Sequence, residues 1–73
     1  MQYPTPDLEN IFKYHAPTSD QLPKYEKLRA AAKAFAQAIV DNSPQGPDQT
    51  AAIRKVREAV MTANAAIALE GKL

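Results

Sequence analysis

Tyr14 and His15 stand together just ahead of Pro17, and Lys24, Lys27 and Arg29 follow at the start of the next helical pattern. An aromatic ring offers a face on which a base stacks, and cations beside the free amides of a helix start hold phosphate. That combination is what a nucleotide ligand needs. The plainer reading of the same residues makes Tyr14 a docking residue and the three cations a solvated face. A second cluster, Arg54, Lys55 and Arg57, has Glu58 four residues after Arg54, a spacing that equally suits a surface ion-pair network. Constellations for catalysis are thin. The only glycines are Gly46 and Gly71, so there is no glycine-rich phosphate loop, and no two carboxylates sit in a context that divides acid from base. Ser19 and Ser43 read as a helix-start residue and a turn residue, and His15 has no recognisable triad partner. With one histidine and no cysteine, disulfides and thiolate metal sites are excluded and a zinc site lacks ligands. The residues therefore describe a binding protein, not an enzyme, with no cofactor and no metal.

Three helices are expected to position these groups. Met1 to Pro6 reads as an extended lead-in. Thr5 is then a candidate N-cap, with Pro6 at the first helical position and Asp7 and Glu9 at the positive end of the dipole, for a short helix over about 6–14. Its apolar stripe, Leu8, Ile11 and Phe12, is too short to be stable undocked. Pro17 drives Ala16 out of the helical region and turns the chain. Thr18 and Gln21 have capping-box spacing, so a second helix is expected over about 18–41, with either a distorted first turn or a start nearer Pro23. Tyr25, Leu28, Ala32, Phe35 and Ile39 form its seam at spacings of three and four. The run Asn42-Ser43-Pro44-Gln45-Gly46-Pro47 is short enough to force the flanking helices antiparallel. A third helix over about 48–70, capped by Gly46 or Asp48 and ended by Gly71, carries Ile53, Val56, Val60, Ala63 and Ile67 as its seam. Its alanines, Ala52, Ala59, Ala65, Ala66 and Ala68, favour helix and allow close approach, so it reads as scaffold first. Any ligand contact it makes is expected near Asn64.

The fold class is thus all-α, a short N-terminal helix followed by a long antiparallel αα-hairpin, in one domain spanning 1–73. At 73 residues a single core supplies only roughly 3–5 kcal/mol without help. A hairpin has no inside, and Leu8, Phe12, Tyr25, Val40, Met61 and Leu69 are left over as apolar surface, which marks an interface. Assembly into a closed, symmetric helical homo-oligomer is expected, the first helix bridging to a neighbour. A net charge of +1 with interspersed signs argues against polymeric nucleic acid. No apolar run suits a membrane span and no basic-then-apolar leader opens the chain, so a soluble, cytosolic protein is expected.

The segments NIFKYHAPTSDQLPKYEKLRAAAKAFA and TAAIRKVREAVMTANAAIAL strongly resemble the hairpin domain of phage-encoded cyclic-oligonucleotide sponges, the anti-CBASS proteins and the related anti-Thoeris proteins. The likeness runs from Asn10 to about Leu69. It rests on Tyr-His with a nearby proline, then Tyr-Glu-x-x-Arg-x-Ala-Ala, then Glu-Ala-Val-Met-x-Ala-Asn-Ala-Ala-Ile-Ala. The resemblance implies a compact homo-oligomer, a hexamer built from trimers, that sequesters cyclic dinucleotides such as cyclic GMP-AMP, and as a second class cyclic trinucleotides, without cleaving them. It implies immune evasion in the cytoplasm of an infected bacterium, with pockets between protomers. By position, Tyr14 takes the base-stacking role and Lys27 or Arg29 the phosphate contact, while His15 and Pro17 line a pocket wall. Thr62 and Leu69 depart from the family pattern, which often has an aromatic and an arginine there, and these departures bear on the trinucleotide class. The alternative reading is a small oligomeric adaptor that binds a host protein through Met61, Val40 and Leu69.

Overall fold

The computed structural model describes residues 5–72. Over them the chain is all-helical: α1 (Leu8–Ile11), α2 (Leu22–Asn42) and α3 (Pro47–Leu69). Residues 1–4, most of the expected lead-in, lie outside the described residues. Two side-chain bonds tie the hairpin at opposite ends and fix its antiparallel sense. Gln21 Nε2 donates to the Ile67 carbonyl at 3.1 Å where α2 begins and α3 ends, and Gln49 Nε2 donates to the Ser43 carbonyl at 3.0 Å where α2 ends and α3 begins.

Each terminus has a local cause. α1 is shorter than the expected 6–14. Asp7, not Thr5, is its N-cap, accepting from the Asn10 amide at 3.2 Å. Its end is set by His15, whose Nε2 lies 2.7 Å from the Asn10 carbonyl, the oxygen that the Tyr14 amide would occupy in a continuing helix. The capping box is closed in both directions: Thr18 N–H donates to Gln21 Oε1 at 3.1 Å and Gln21 N–H to Thr18 Oγ1 at 3.3 Å. Helix α2 nevertheless begins only at Leu22, because Pro23 has no amide to donate to the Ser19 carbonyl, so the 18–21 turn is not absorbed into the regular ladder. Of the two starts the sequence allowed, the later one is adopted. Gly46 caps α3 with Pro47 in the first turn. At the other end Glu70, at φ 54°, is the left-handed residue, and the Gly71 amide reaches back to the Ala66 carbonyl at 3.0 Å. Gly71, also left-handed at φ 76°, comes one residue after the stop.

The seam has one substitution relative to expectation. On α2 the half-buried residues include Tyr25, Leu28, Ala32, Ala36 and Ile39, whereas Phe35 is 61% exposed. Spacings of three and four both suit a helix stripe, and the small Ala36 lets α3 come close, which leaves the Phe35 ring on the flank. Two open grooves run along the hairpin. One is lined by Leu28, Ala31, Phe35, Ile39, Ala59 and Ala63. The other has Ala36, Ile53 and Val60 as its floor and Arg29, Lys33 and Arg57 at its edges.

Among the described residues none is buried. The accessible surface is 6252 Å², against roughly 4,450 Å² for a compact folded chain of this mass. The radius of gyration is 15.5 Å, against about 11 Å for a globule of this length. Leu8, Phe12, Val40 and Met61 are exposed as the surplus apolar set anticipated, while Tyr25 and Leu69 are half-buried within the hairpin.

Candidate functional site

The connector between α1 and α2 carries Tyr14, His15 and Pro17. It is held at both ends. At the first, His15 folds back on α1, and because a carbonyl can only accept, Nε2 carries the proton of this bond. In the neutral ring Nδ1 is then the acceptor left for another partner. At the second, the Thr18–Gln21 box closes a turn, and the same Gln21 side chain reaches across to α3. Between these anchors Tyr14 is 82% exposed and Pro17 is exposed.

Lys27 and Arg29 are both exposed on the early turns of α2. Two positions apart on a helix, they leave the axis in nearly opposite directions. Arg29 stands at the edge of the groove that also takes Lys33 from α2 and Arg57 from α3, with Glu26 as the acidic member. Lys27 lies away from that groove. The sequence reading did not couple Arg57 to Arg29, because the pairing depends on which helix faces meet across the hairpin.

Asn64 is half-buried on α3, and its Oδ1 is shielded from solvent without a hydrogen-bond partner. It sits one turn ahead of Ile67, the residue that Gln21 engages. The structure thus brings Arg29, Lys33 and Arg57 to one groove and holds Tyr14, His15 and Pro17 on one connector. Neither hairpin groove described above is lined by Tyr14, His15 or Pro17. Gln21 is the functional candidate that the sequence reading used only as a cap. Its capping-box position announces the Oε1 role, but nothing local announces the bond of its Nε2 to a carbonyl 46 residues away.

Among the described residues no group of three or more His, Cys, Asp or Glu side chains is placed to hold a metal ion. No helix among them is long and apolar enough to cross a membrane. Comparison with curated proteins and with solved structures gives no match. The family model described as Acb2/Tad1, hairpin domain, matches residues 5–68. That span takes in α1, the connector, α2 and all but the last residue of α3, and on it the chain belongs to the Acb2/Tad1 hairpin-domain family, the anti-CBASS and anti-Thoeris sponges.

Proposed function

We propose that this protein captures cyclic oligonucleotide second messengers, cyclic dinucleotides first and cyclic trinucleotides as a second class, without cleaving them. By doing so in the cytoplasm of an infected bacterium it blocks CBASS-type antiphage signalling. The family is one of binding, non-catalytic proteins that act as sponges for signalling molecules. The observation that carries the finer reading is Tyr14: an aromatic ring 82% exposed on a connector anchored at both ends. An exposed ring on a connector tied at both ends stacks on a base at lower entropic cost than one on a free loop.

The pocket is completed by a second protomer. Tyr14 from one chain meets the phosphate-binding cation, Lys27 or Arg29, of another, with His15 and Pro17 as wall and Asn64 at the edge of the scaffold helix. A hexamer built from trimers supplies such interfaces and covers the exposed Leu8, Phe12, Val40 and Met61. A sponge must hold its ligand tightly, and a Kd near 1 nM corresponds to about −12 kcal/mol. Base stacking, charge-assisted phosphate contacts and a pre-assembled pocket together reach that range.

Titration of the purified protein with a panel of cyclic dinucleotides and trinucleotides, beginning with 3′,3′-cyclic GMP-AMP, tests this. Tight binding is expected, with the ligand recovered intact after heating. Recovery of a linear product would refute non-catalytic capture, and a panel without any binder would refute the function. Tyr14→Ala is expected to lose the ligand while the oligomer persists. If the oligomer itself dissociates, Tyr14 is a docking residue and the adaptor reading through Met61, Val40 and Leu69 takes over. Lys27→Ala and Arg29→Ala, compared side by side, identify the phosphate contact.

A further inference from the structure

Among the described residues, every side-chain hydrogen bond but one joins positions six or fewer apart; the exception is Gln21 Nε2 to the Ile67 carbonyl, across 46. Apart from the local bond of the Leu22 amide to the Thr18 carbonyl at 3.2 Å, the connector that carries Tyr14 is tied by hydrogen bonds to the hairpin, and to α3 at all, through this one amide. The rest of its bonding is local: His15 to α1, Thr18 to Gln21, and the Gln21 and Leu22 amides to the Thr18 carbonyl. We propose that Gln21 is the positioning residue of the ligand-bearing connector, its Oε1 closing the turn at Thr18 while its Nε2 clasps the end of α3.

The two ends of this side chain do separable work. A capping box accepts Glu or Gln at this position, since only an acceptor oxygen is needed to take the Thr18 amide. The clasp needs a donor, which Gln has and an ionised Glu lacks. The acceptor it meets is suited to it. The Ile67 carbonyl is among the last of α3, and the Gly71 amide that would bond it in a continuing helix goes instead to Ala66. The Glu70 amide reaches Ile67 at 3.2 Å, and Gln21 takes the second lone pair. The C-terminal stop of α3 and the aim of the Tyr14 connector are thus linked through one carbonyl.

This inference rests on the reading of Tyr14 as the base-stacking residue, and its test separates the two. Gln21→Glu keeps the cap and removes the clasp. Thr18→Ala removes the hydroxyl half of the cap and keeps the clasp. Affinity for 3′,3′-cyclic GMP-AMP by calorimetry, helix content by circular dichroism, and amide hydrogen exchange over residues 14–20 and at Gly71 are measured for both and for wild type. Gln21→Glu is expected to keep helix content and oligomer size, to speed exchange of the connector, and to weaken binding about tenfold, as expected when a pre-set arm becomes only fractionally populated. Thr18→Ala is expected to bind as wild type does. Equal affinity of wild type and Gln21→Glu overturns the proposal. So does a loss in Thr18→Ala as large as that in Gln21→Glu, since the cap would then be what matters. Should Gln21→Glu fail to fold, the wild-type Gln21 side-chain NH₂ decides by itself: slow exchange supports the clasp and free exchange overturns it. A wild type that binds no cyclic oligonucleotide defeats the stacking role of Tyr14, and the exchange data still judge the clasp.

Discussion

Asn64 Oδ1 is a solvent-shielded oxygen with no hydrogen bond, on a helix whose neighbours are mostly alanine. An unmet buried acceptor destabilises by about 1–3 kcal/mol. Asparagine is also a weaker helix former than alanine. Asn64→Ala is accordingly expected to raise the thermal midpoint of the unliganded protein by several degrees, at roughly 4–8 °C per kcal/mol for a chain of this size, while ligand affinity falls. A lower midpoint in scanning calorimetry would mean instead that a neighbouring subunit satisfies this oxygen. Glu70 is the second residue held against its preference. A side chain at φ 54° is strained by about 1 kcal/mol relative to glycine, and Gly71 at φ 76° stands beside it without relieving it. Glu70→Gly is expected to stabilise by about that amount in denaturant unfolding and Gly71→Ala to destabilise similarly. Equal midpoints for wild type and both variants would show that the left-handed stop carries no strain.

α1 depends on two side chains. With only four residues it cannot persist on backbone bonds alone, and its Asn10 amide is met by the Asp7 cap while His15 takes the Asn10 carbonyl. Asp7→Ala, removing a cap typically worth about 1 kcal/mol, is expected to raise hydrogen exchange at Asn10, Ile11 and Phe12 and leave α2 and α3 protected as before. Unchanged protection in α1 would mean that the Asp7 cap does not hold it and that His15 or docking does. How legible such features were in the chain follows from their range. The turn-rich 42–47 run, the Thr18–Gln21 box and the limits imposed by Pro23 are set by residues within a turn of each other, and the hairpin could be read from them. Thr5 and Asp7 both suit the cap of α1, and Pro6 at the first helical position favours Thr5, so only the folded backbone selects Asp7. Ala36 displaced Phe35 from the seam because both satisfy the periodicity and only the approach of α3 distinguishes them. Within the candidate site, the exposed aromatic and the cations were visible as residue types. The clasp from Gln21 and the sharing of one groove by Arg29 and Arg57 were not, since each joins positions from different helices.

The whole molecule has more surface than a compact chain of its size. Its 6252 Å² exceeds the compact expectation by about 1,800 Å². A standard interface covers about 800 Å² on each partner, so the surplus is about what two interfaces per chain would cover. The apolar grooves on the two sides of the hairpin, one holding Phe35 and the other Met61, are the faces this arithmetic points to. No residue is buried among those described, and on the proposed assembly the stability of the hairpin is expected to depend on protomer concentration. The thermal midpoint is therefore expected to fall on dilution, and a bound cyclic oligonucleotide at the interface should raise it and flatten that dependence. Phe35→Glu, which puts a charge where a neighbour's apolar side chains would lie, is expected to give a monomer with much reduced helix content by circular dichroism and light scattering. Lys72→Glu, exposed and outside both grooves, is expected to keep the wild-type mass. A monomeric, helical Phe35→Glu with a concentration-independent midpoint would mean that the hairpin folds alone and that its exposed ring serves some other contact.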